Sequence, residues 1–400
     1  MKRTSPRTPR SARIAGVVLG LACVPLAVLG GSRLALASTA GTAEHWGTFF
    51  GDGNPGSGDT SLSPAAVTVP GMIAEIATSN STQYALLANG QVYAWGQGTD
   101  GQLGNGRGQN SFTTAVRVRF PAGVKIASIP TDTMPFDSGL AIDTRGHAWG
   151  WGLDTGGEFC LGNSKAYRTP VELPFSGVTL LAGAADHATY DAHGTLYACG
   201  INQHGELGDG GLASSRVAVR VKGLAGSSVT ALTASYANSG AVLRDGKYYD
   251  WGFDGEGELG DGTNRQAVKT PVRVPLPGAV TQAVEGGSLA VNGQTLVKLA
   301  DGALFAWGDD GSGQLGNDKT GAEPSPVRFY PPAGVTYKLL ASGGATSYAI
   351  STTGDVYAWG AGGEGQTGDG SKGTAMKPVL VESGATGISS TADDVAVSIR

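Results

Sequence analysis

The chain has 400 residues, of which 66 are glycine, 40% are hydrophobic and only 15% are charged. Glycine is far above its usual share of roughly 7% without a Gly-X-Y period, which excludes collagen, and the apolar content is too high for wholesale disorder. The first 37 residues hold six of the 28 basic residues and none of the 33 acidic ones, so the remainder has a formal charge of −11. We therefore expect no nucleic acid partner, because phosphate backbones attract clustered Lys and Arg.

Residues 1–37 have the pattern of a signal peptide. A basic start is followed by an apolar run from Ile14 to Gly30, and Ala35 and Ala37 form an AxA cleavage site. We expect cleavage near Ala37 and release of residues 38–400 as an extracellular monomer. A retained anchor is the alternative, since the apolar run is close to the lower length limit of a membrane span. The sequence after residue 37 predicts no membrane span.

A short phrase recurs along the rest of the chain. Its copies are GTAEHWG, GQVYAWG, GHAWGWG, GTLYACG, GKYYDWG, GALFAWG and GDVYAWG. The spacing between them, 48 to 56 residues, is the size of one propeller blade. The recurring position before the last glycine holds a tryptophan in six copies and a cysteine in one: Trp46, Trp95, Trp151, Cys199, Trp251, Trp307 and Trp359.

Each copy predicts the same elements in chain order. In the second copy, two alternating segments are joined by Asn89 and Gly90, which supply the positive φ angles of a tight hairpin. A glycine loop follows, such as GQGTDGQLGNG, and then an outer strand with Pro, which suits an edge because Pro cannot donate to an interior ladder. We assign a structural role to the recurring tryptophans and to the matching loop glycines, which are Gly101, Gly157, Gly205, Gly257, Gly313 and Gly365.

The two ends of the chain predict a closed ring. The last residues, DDVAVSIR, match the first hairpin strand of a unit, whereas GTAEHWG matches the second. Together they complete one blade, which leaves no open solenoid end. We predict an all-β, seven-bladed β-propeller over residues 38–400, with N- and C-terminal strands sharing one blade.

The repeats resemble the regulator of chromosome condensation repeat family. The clearest copies are VYAWGQGTDGQLGNG, LFAWGDDGSGQLGN and VYAWGAGGEGQTGDG, and the resemblance covers essentially all of residues 38–400. It implies a propeller fold and says much less about function. The nuclear exchange activity of the family's founding member is not carried over, because a leader and a negative charge place this chain elsewhere. The chain is more distantly similar to the secreted β-lactamase inhibitory protein II.

The motifs predict no cofactor, metal or catalytic residue. GxGxxG occurs at 96–101 and 360–365, but an outer strand follows where a dinucleotide site needs a helix. The acidic loop around Glu258 would suit calcium, yet the same position holds Gln102 and Gln314 in other copies, so shape is retained and charge is not. Neither GxSxG nor HExxH is present. We therefore expect a protein that is not an enzyme.

Two cysteines remain after residue 37, Cys160 and Cys199. Cys199 stands at the recurring tryptophan position, and Cys160 lies in the glycine loop of the preceding unit. In an oxidising compartment they are candidates for a disulfide, and two separately buried thiols are the alternative.

Segments that depart from the repeat are the candidate binding surface. They contain Phe49 and Phe50, Met134 and Phe136 in TDTMPFD, and Tyr330 in FYPPAG. Exposed aromatic side chains suit a protein interface, although covering a blade edge or the channel mouth explains them equally well. We predict a secreted binding module for an unidentified protein or cell-envelope component. The alternatives are a stoichiometric inhibitor of an extracellular enzyme and a glycan-binding or composite-site enzyme propeller.

Overall fold

The alternating segments of the sequence fold into antiparallel β-strands. The computed structural model describes residues 41–48, 60–80, 82–132, 134–287, 293–391 and 394–399. Within them, 28 strands form seven sheets of four strands each. Residues 1–37 lie outside the described residues, so the signal peptide and its cleavage near Ala37 stay predictions, and Phe49 and Phe50 also lie outside.

The strands follow the chain blade by blade. The first two are β1 (Gly41–Thr48) and β2 (Thr60–Val69). Blades 1 to 3 contain β3 (Ile73–Thr78), β4 (Thr82–Leu87), β5 (Val92–Gly96), β6 (Ser111–Arg117); β7 (Ile126–Ser128), β8 (Ser138–Asp143), β9 (Ala148–Gly152), β10 (Tyr167–Glu172); and β11 (Val178–Ala184), β12 (His187–Ala192), β13 (Thr195–Gly200), β14 (Ser215–Arg220). Blades 4 to 6 contain β15 (Val229–Ala234), β16 (Asn238–Leu243), β17 (Tyr248–Asp254), β18 (Arg265–Arg273); β19 (Val280–Gly286), β20 (Gln294–Leu299), β21 (Leu304–Gly308), β22 (Glu323–Arg328); and β23 (Tyr337–Ser342), β24 (Thr346–Ser351), β25 (Val356–Gly360), β26 (Ala375–Glu382). The last two strands are β27 (Ala385–Thr391) and β28 (Asp394–Ile399).

The seventh blade closes the ring with strands from both ends of the chain. Its strand order is β2-β1-β28-β27, and β1 pairs with β28 from Thr42 opposite Ile399 to Gly47 opposite Asp394. In the other blades the first strand lies innermost, and in blades 1 and 3 to 6 it contacts the first strand of a neighbouring blade. The predicted seven-bladed propeller with a shared closing blade is confirmed.

The hydrophobic core is divided among the spaces between blades. The described residues form seven buried clusters, and each combines side chains from two neighbouring blades. All six recurring tryptophans are fully buried. Most donate their indole N–H to a carbonyl in the glycine loop of the preceding blade, at 2.8 to 2.9 Å: Trp151 to Gln102, Trp251 to Glu206, Trp307 to Glu258, Trp359 to Gln314 and Trp46 to Gln366.

The six loop glycines assigned from the sequence lie where each loop meets the outer strand of the next blade. All have positive φ, between 76° and 98°. A Cβ at Gly101 would lie 2.8 Å from the Cα of Arg168, and one at Gly257 would lie 2.4 Å from the Cα of Pro324. The left-handed backbone and the close approach both favour glycine there. No helix among the described residues is long and apolar enough to cross a membrane.

Candidate binding surface

Because neighbouring strands in each blade are antiparallel, the connections between strands lie alternately on two opposite faces of the propeller. Turns between the first and second strands of each blade lie on the face from which the glycine loops start, which we call the loop face. Hairpins between the second and third strands, and the links between blades, lie on the other, the hairpin face. Phe136 is on the loop face and Tyr330 on the hairpin face, so the structure does not bring these two predicted contacts together.

A long connection between β7 and β8 lies across one end of the central channel. We call residues 129–132 and 134–137 the plug segment. It makes hydrogen bonds to residues in or next to the inner strands of several blades: Ile129 N to Glu75 Oε2 (2.8 Å), Met134 N to Thr78 O (3.1 Å), Phe136 N to Ala185 O (2.8 Å) and Ser389 Oγ to Asp132 O (3.2 Å). A cavity of about 380 Å³ lies against Thr131 and Asp132 and is lined otherwise by strands of blades 1, 4, 5, 6 and 7. The plug segment therefore limits the channel on its loop-face side.

The predicted contacts in and near this segment have different exposures. Met134 is fully buried with Ala77 and Tyr84 of blade 1, so the expectation that it is an exposed anchor is wrong. Phe136 is half-buried, and its ring centroid lies 5.8 Å from that of Tyr236 in blade 4. Tyr330 is 66% exposed, with the Arg328 guanidinium 5.7 Å from its ring centroid.

Three further apolar residues lie on the loop face, one in each of blades 2 to 4. The residue that follows the recurring Trp-Gly or Cys-Gly pair is Leu153, Ile201 and Phe253 in blades 2 to 4. Their amides donate to the turns that contain Asp137, Asp186 and Ala237, each at 2.9 Å. All three side chains are half-buried. These bonds place them next to the residues that follow Phe136, Ala185 and Tyr236, and we call Leu153, Ile201 and Phe253 together with Phe136 and Tyr236 the apolar arc.

Comparison of the repeats reveals a sequence pattern that marks the apolar arc. The corresponding position in blades 1, 5 and 6 holds Gln97, Asp309 and Ala361, so large apolar residues at this position are confined to blades 2 to 4 among these six. The predicted contacts did not include these three apolar residues, because they lie inside the repeat and the prediction used only segments that interrupt it.

Carboxylates border the arc. Burial and the nearby charge of Asp137 raise the pKa of Asp186 above its ordinary value. Burial raises the pKa of the Tyr236 hydroxyl, and the charges of Asp186 and Glu206 add to this effect. None of the ion pairs formed within the described residues uses Asp186. The border of the arc thus carries a carboxylate, Asp186, that lies outside the ion pairs of the described part of the chain.

The turns at this border have an unusual backbone. Asp137 and Ala185 have φ angles of 55° and 46°, in the left-handed region that L side chains rarely adopt. The Phe136 amide bonds to the Ala185 carbonyl, and the Leu153 amide bonds to the Asp137 carbonyl. The surrounding bonds therefore hold two strained turns in place next to Phe136 and Asp186.

A second group of carboxyls is buried between blades 4 and 5. Glu285 accepts hydrogen bonds from the Thr233 and Tyr248 hydroxyls, and Asp250 lies nearby where other copies have Ala, Gly or, in the first copy, His45. Burial and the Glu285 charge raise the pKa of Asp250 well above its ordinary value. Within the described ranges, no three or more His, Cys, Asp or Glu side chains have an arrangement that could hold a metal ion. We interpret this group as a hydrogen-bonded part of the core.

The cysteine pair links blades 2 and 3. The Cys160 and Cys199 sulfurs are joined in the structure, with Cα atoms 5.6 Å apart. Cys199 lies on β13 at the tryptophan position, and Cys160 lies in the glycine loop of blade 2. The bond therefore stands where other blades have a tryptophan packed on the preceding loop.

The comparisons with known proteins agree with this architecture. Family models described as the regulator of chromosome condensation (RCC1) repeat match residues 89–131, 301–350 and 337–366. These segments overlap the copies around Trp95, Trp307 and Trp359. This chain contains RCC1 repeats.

Similar proteins include the ultraviolet-B receptor UVR8 of Arabidopsis thaliana, 26% identical over 73% of this chain and 66% of its own length. The mitochondrial RUG3 of the same plant is 28% identical over 73% of this chain and 70% of its own length. The human E3 ubiquitin-protein ligase HERC2 is 28% identical over 84% of this chain but only 7% of its own length. The chain thus spans slightly under two thirds of UVR8 and a small part of HERC2.

Solved structures share the fold at low sequence identity. Human WBSCR16 has a TM-score of 0.76 at 18% identity, covering 90% of this chain and 99% of that one. Prp20p of Saccharomyces cerevisiae has a TM-score of 0.72 at 19% identity, covering 90% and 91%. The RCC1-type propellers among the relatives support a protein-interaction module in general.

Proposed function

We propose that this RCC1 repeat protein is a secreted, non-catalytic module that binds a protein or cell-envelope component through the loop face of its propeller. The apolar arc is the observation that carries the proposal. Its side chains remain partly exposed although the repeat places polar or small residues at the matching positions of other blades. Contiguous apolar surface bordered by polar groups is typical of interaction sites.

The rigidity of the scaffold supports this role. Loops that bind a partner lose less entropy when the free protein already holds them in position. The turns beneath the arc are held by backbone bonds between blades, including that from Phe136 to Ala185. The apolar arc is therefore suited to a partner that contacts several blades at once.

Two features support secretion. The basic start, apolar run and AxA site of residues 1–37 are those of an exported chain. The bond between Cys160 and Cys199 suits an oxidising compartment, because disulfides are rare in reducing ones. Expression of the full chain in a secreting bacterium should release a protein whose first residue is Ser38. A full-length product retained in the membrane would contradict this.

The non-catalytic assignment rests on what the loop carboxyls do. The side-chain oxygens of Glu206 and Glu258 accept hydrogen bonds from backbone amides two residues earlier, at 2.8 Å. Gln314 makes the same bond in another blade. Because an amide replaces the carboxylate without loss of this bond, the position serves the loop and requires no ionisable group.

Capture with matched variants tests the binding function. Residues 38–400 would be immobilised beside an arc variant (Phe136→Ser with Phe253→Ser) and a hairpin-face control (Tyr330→Ser). We expect a component of the medium or envelope fraction, identified by mass spectrometry, to bind the wild type and the control and to be lost from the arc variant. Equal thermal stability of the three proteins excludes unfolding as the cause.

The outcomes separate the alternatives. An extracellular enzyme that is captured and loses activity at an equimolar amount of the propeller would identify an inhibitor. A component that binds the arc variant as well as the wild type would contradict use of the loop-face arc. Capture of nothing above background would contradict the binding function.

A further inference from the structure

The chemistry of the apolar arc restricts the kind of partner that can cover it. Its apolar part is formed by the rings of Phe136 and Tyr236, together with the side chains in blades 2 to 4. Asp137 and Asp186 lie at its border, where burial and, after it, the Asp137 charge raise the pKa of Asp186. A partner that brings further negative charge here would increase that repulsion.

A cationic side chain satisfies both parts of this surface. The guanidinium of Arg packs on aromatic rings and donates hydrogen bonds to carboxylates, and the ammonium of Lys does so as a compact charge. A half-buried carboxylate is a better partner for it than a fully solvated one, because screening is weaker. Asp186 is half-buried and forms none of the ion pairs within the described part of the chain.

We propose that the apolar arc binds a segment of a partner protein in which Arg or Lys alternates with apolar side chains, with the cation held by Asp186 beside the rings of Phe136 and Tyr236. This inference rests on the proposed function and names the chemistry of the partner. The apolar neighbours of the cation contact Leu153, Ile201 and Phe253. The partner therefore needs both features, since charge alone leaves the apolar side chains uncovered.

A pair of synthetic peptides tests this chemistry. A six-residue peptide of alternating Leu and Arg, and its Leu and Glu counterpart, would be titrated into residues 38–400 by calorimetry. We expect binding of the Leu and Arg peptide only. The affinity should fall by about fivefold or more between about 50 and 300 mM salt, because the Debye length shortens over this range.

Two substitutions of the same kind locate the charge. Asp186→Asn removes the carboxylate at the arc, and Asp301→Asn removes an exposed carboxylate from a hairpin on the opposite face. We expect Asp186→Asn to weaken binding of the Leu and Arg peptide by about fivefold, as for loss of one partly screened ion pair. Asp301→Asn should bind it as the wild type does. Phe136→Ser with Phe253→Ser should weaken it further.

Three results would overturn the inference. They are absence of binding by the Leu and Arg peptide, equal binding by Asp186→Asn, or a concentration-dependent dimer that Asp186→Asn dissociates, which would assign the surface to a second copy of the chain. The proposed function fails separately. If the arc variant loses the captured component while Asp186→Asn retains it, the loop face binds a partner but the cationic chemistry is wrong.

Discussion

At the position after the recurring loop glycine, the shape of the side chain matters more than its charge. Gln102, Glu206, Glu258, Gln314 and Gln366 each accept a hydrogen bond from the backbone amide two residues earlier. The Glu and Gln exchange in the repeats predicts this bond from sequence alone, and the structure contains it. Burial raises the pKa of Glu258 from 4.5 to about 7. Ionisation of Glu258 above that pH therefore opposes folding.

Glu258→Gln is expected to stabilise the protein at alkaline pH. The folded-state pKa lies above the ordinary 4.5, so the folded state binds the proton more tightly, and the free energy of unfolding falls as pH rises from about 4.5 to about 7. The amide keeps the acceptor and removes this loss, so the gain should be roughly 2 kcal/mol at pH 8 and near zero at pH 4. Urea unfolding at the two pH values measures it.

The reciprocal change is the control. Gln102→Glu places a carboxyl in the same bond, to the amide of Asp100, and should lower stability at pH 8 while leaving pH 4 unaffected. Equal stability of Glu258→Gln and the wild type at pH 8 would mean that the Glu258 carboxylate is well solvated in the folded protein.

The exposure of single residues was less predictable than their role in a repeat. The sequence identified Met134 and Phe136 as departures from the repeat, but the two have opposite environments. Met134 is buried because the plug segment bonds to Thr78 in another blade, which no local pattern reports. Leu153 and Phe253 followed the repeat length and were overlooked, although they form much of the arc.

The contact between a glycine loop and the next blade has two forms, one with glycine against tryptophan and one with two cysteines. In the common form, Gly104 has a φ of 57°, and a Cβ there would lie 2.9 Å from Cδ1 of Trp151. In blade 2, Cys160 has a φ of 58° at the matching position. Its side chain is accommodated because Cys199 replaces the tryptophan. The two cysteines are thus a coupled exchange for glycine and tryptophan, with a covalent bond as the link.

Substitutions at this pair should therefore be strongly non-additive. Cys199→Trp alone should destabilise the fold, because the indole meets the Cys160 Cβ, and it also removes the bond. Loss of that bond alone corresponds to roughly 4 kcal/mol for a loop of this length. The double change, Cys160→Gly with Cys199→Trp, should recover most of the loss by recreating the common form. Urea unfolding of both single variants and the double variant gives the coupling energy.

The bond itself has a direct check. Alkylation of the denatured protein without reductant should add no label to Cys160 or Cys199, and alkylation after denaturation and reduction should add two. Two labels without reductant would show separate thiols. An additive double variant would show that another side chain of this loop, such as Leu161 where blade 1 has Asn105, prevents the common packing.

For the long connections, the sequence predicts which residues form them but not the path that they follow over the propeller. TDTMPFD interrupts the repeat, which marks it as a loop, but its path depends on bonds to blades 1, 3 and 7. Such bonds join residues far apart in sequence, and Ser389 lies 257 positions from Asp132. Hairpins and outer strands were predictable because their turn residues and periodicity are local.

At the scale of the whole molecule, closure was predictable because the two chain ends are complementary fragments of one repeat. The structure places β27 and β28 inside β1 and β2, so each end supplies half of the seventh blade. The cluster between blades 6 and 7 and that between blades 7 and 1 both include side chains of β28. Stability of the ring thus depends on a pairing between the first and last strands.

Two variants of the chain test whether stability depends on closure of the ring or is the sum of contributions from independent repeats. Deletion of residues 385–400 removes β27 and β28, opens two interblade clusters and exposes an edge of β1. We expect the truncated protein to lose the single cooperative unfolding transition, because a closed ring has no capping repeat to protect an open end. Tryptophan fluorescence in urea reports this loss, since the recurring tryptophans are buried.

A circular permutant keeps all the strands and is the matched control. New ends at Gly226, an exposed position in the link between blades 3 and 4, cut no sheet, and a short linker can join the old ends because Thr42 pairs with Ile399. We expect this protein to unfold in one transition with a modestly lower midpoint. A truncated chain that unfolds as cooperatively as the permutant, at the same urea concentration, would show that the blades are stable without closure and that pairing of the ends adds little.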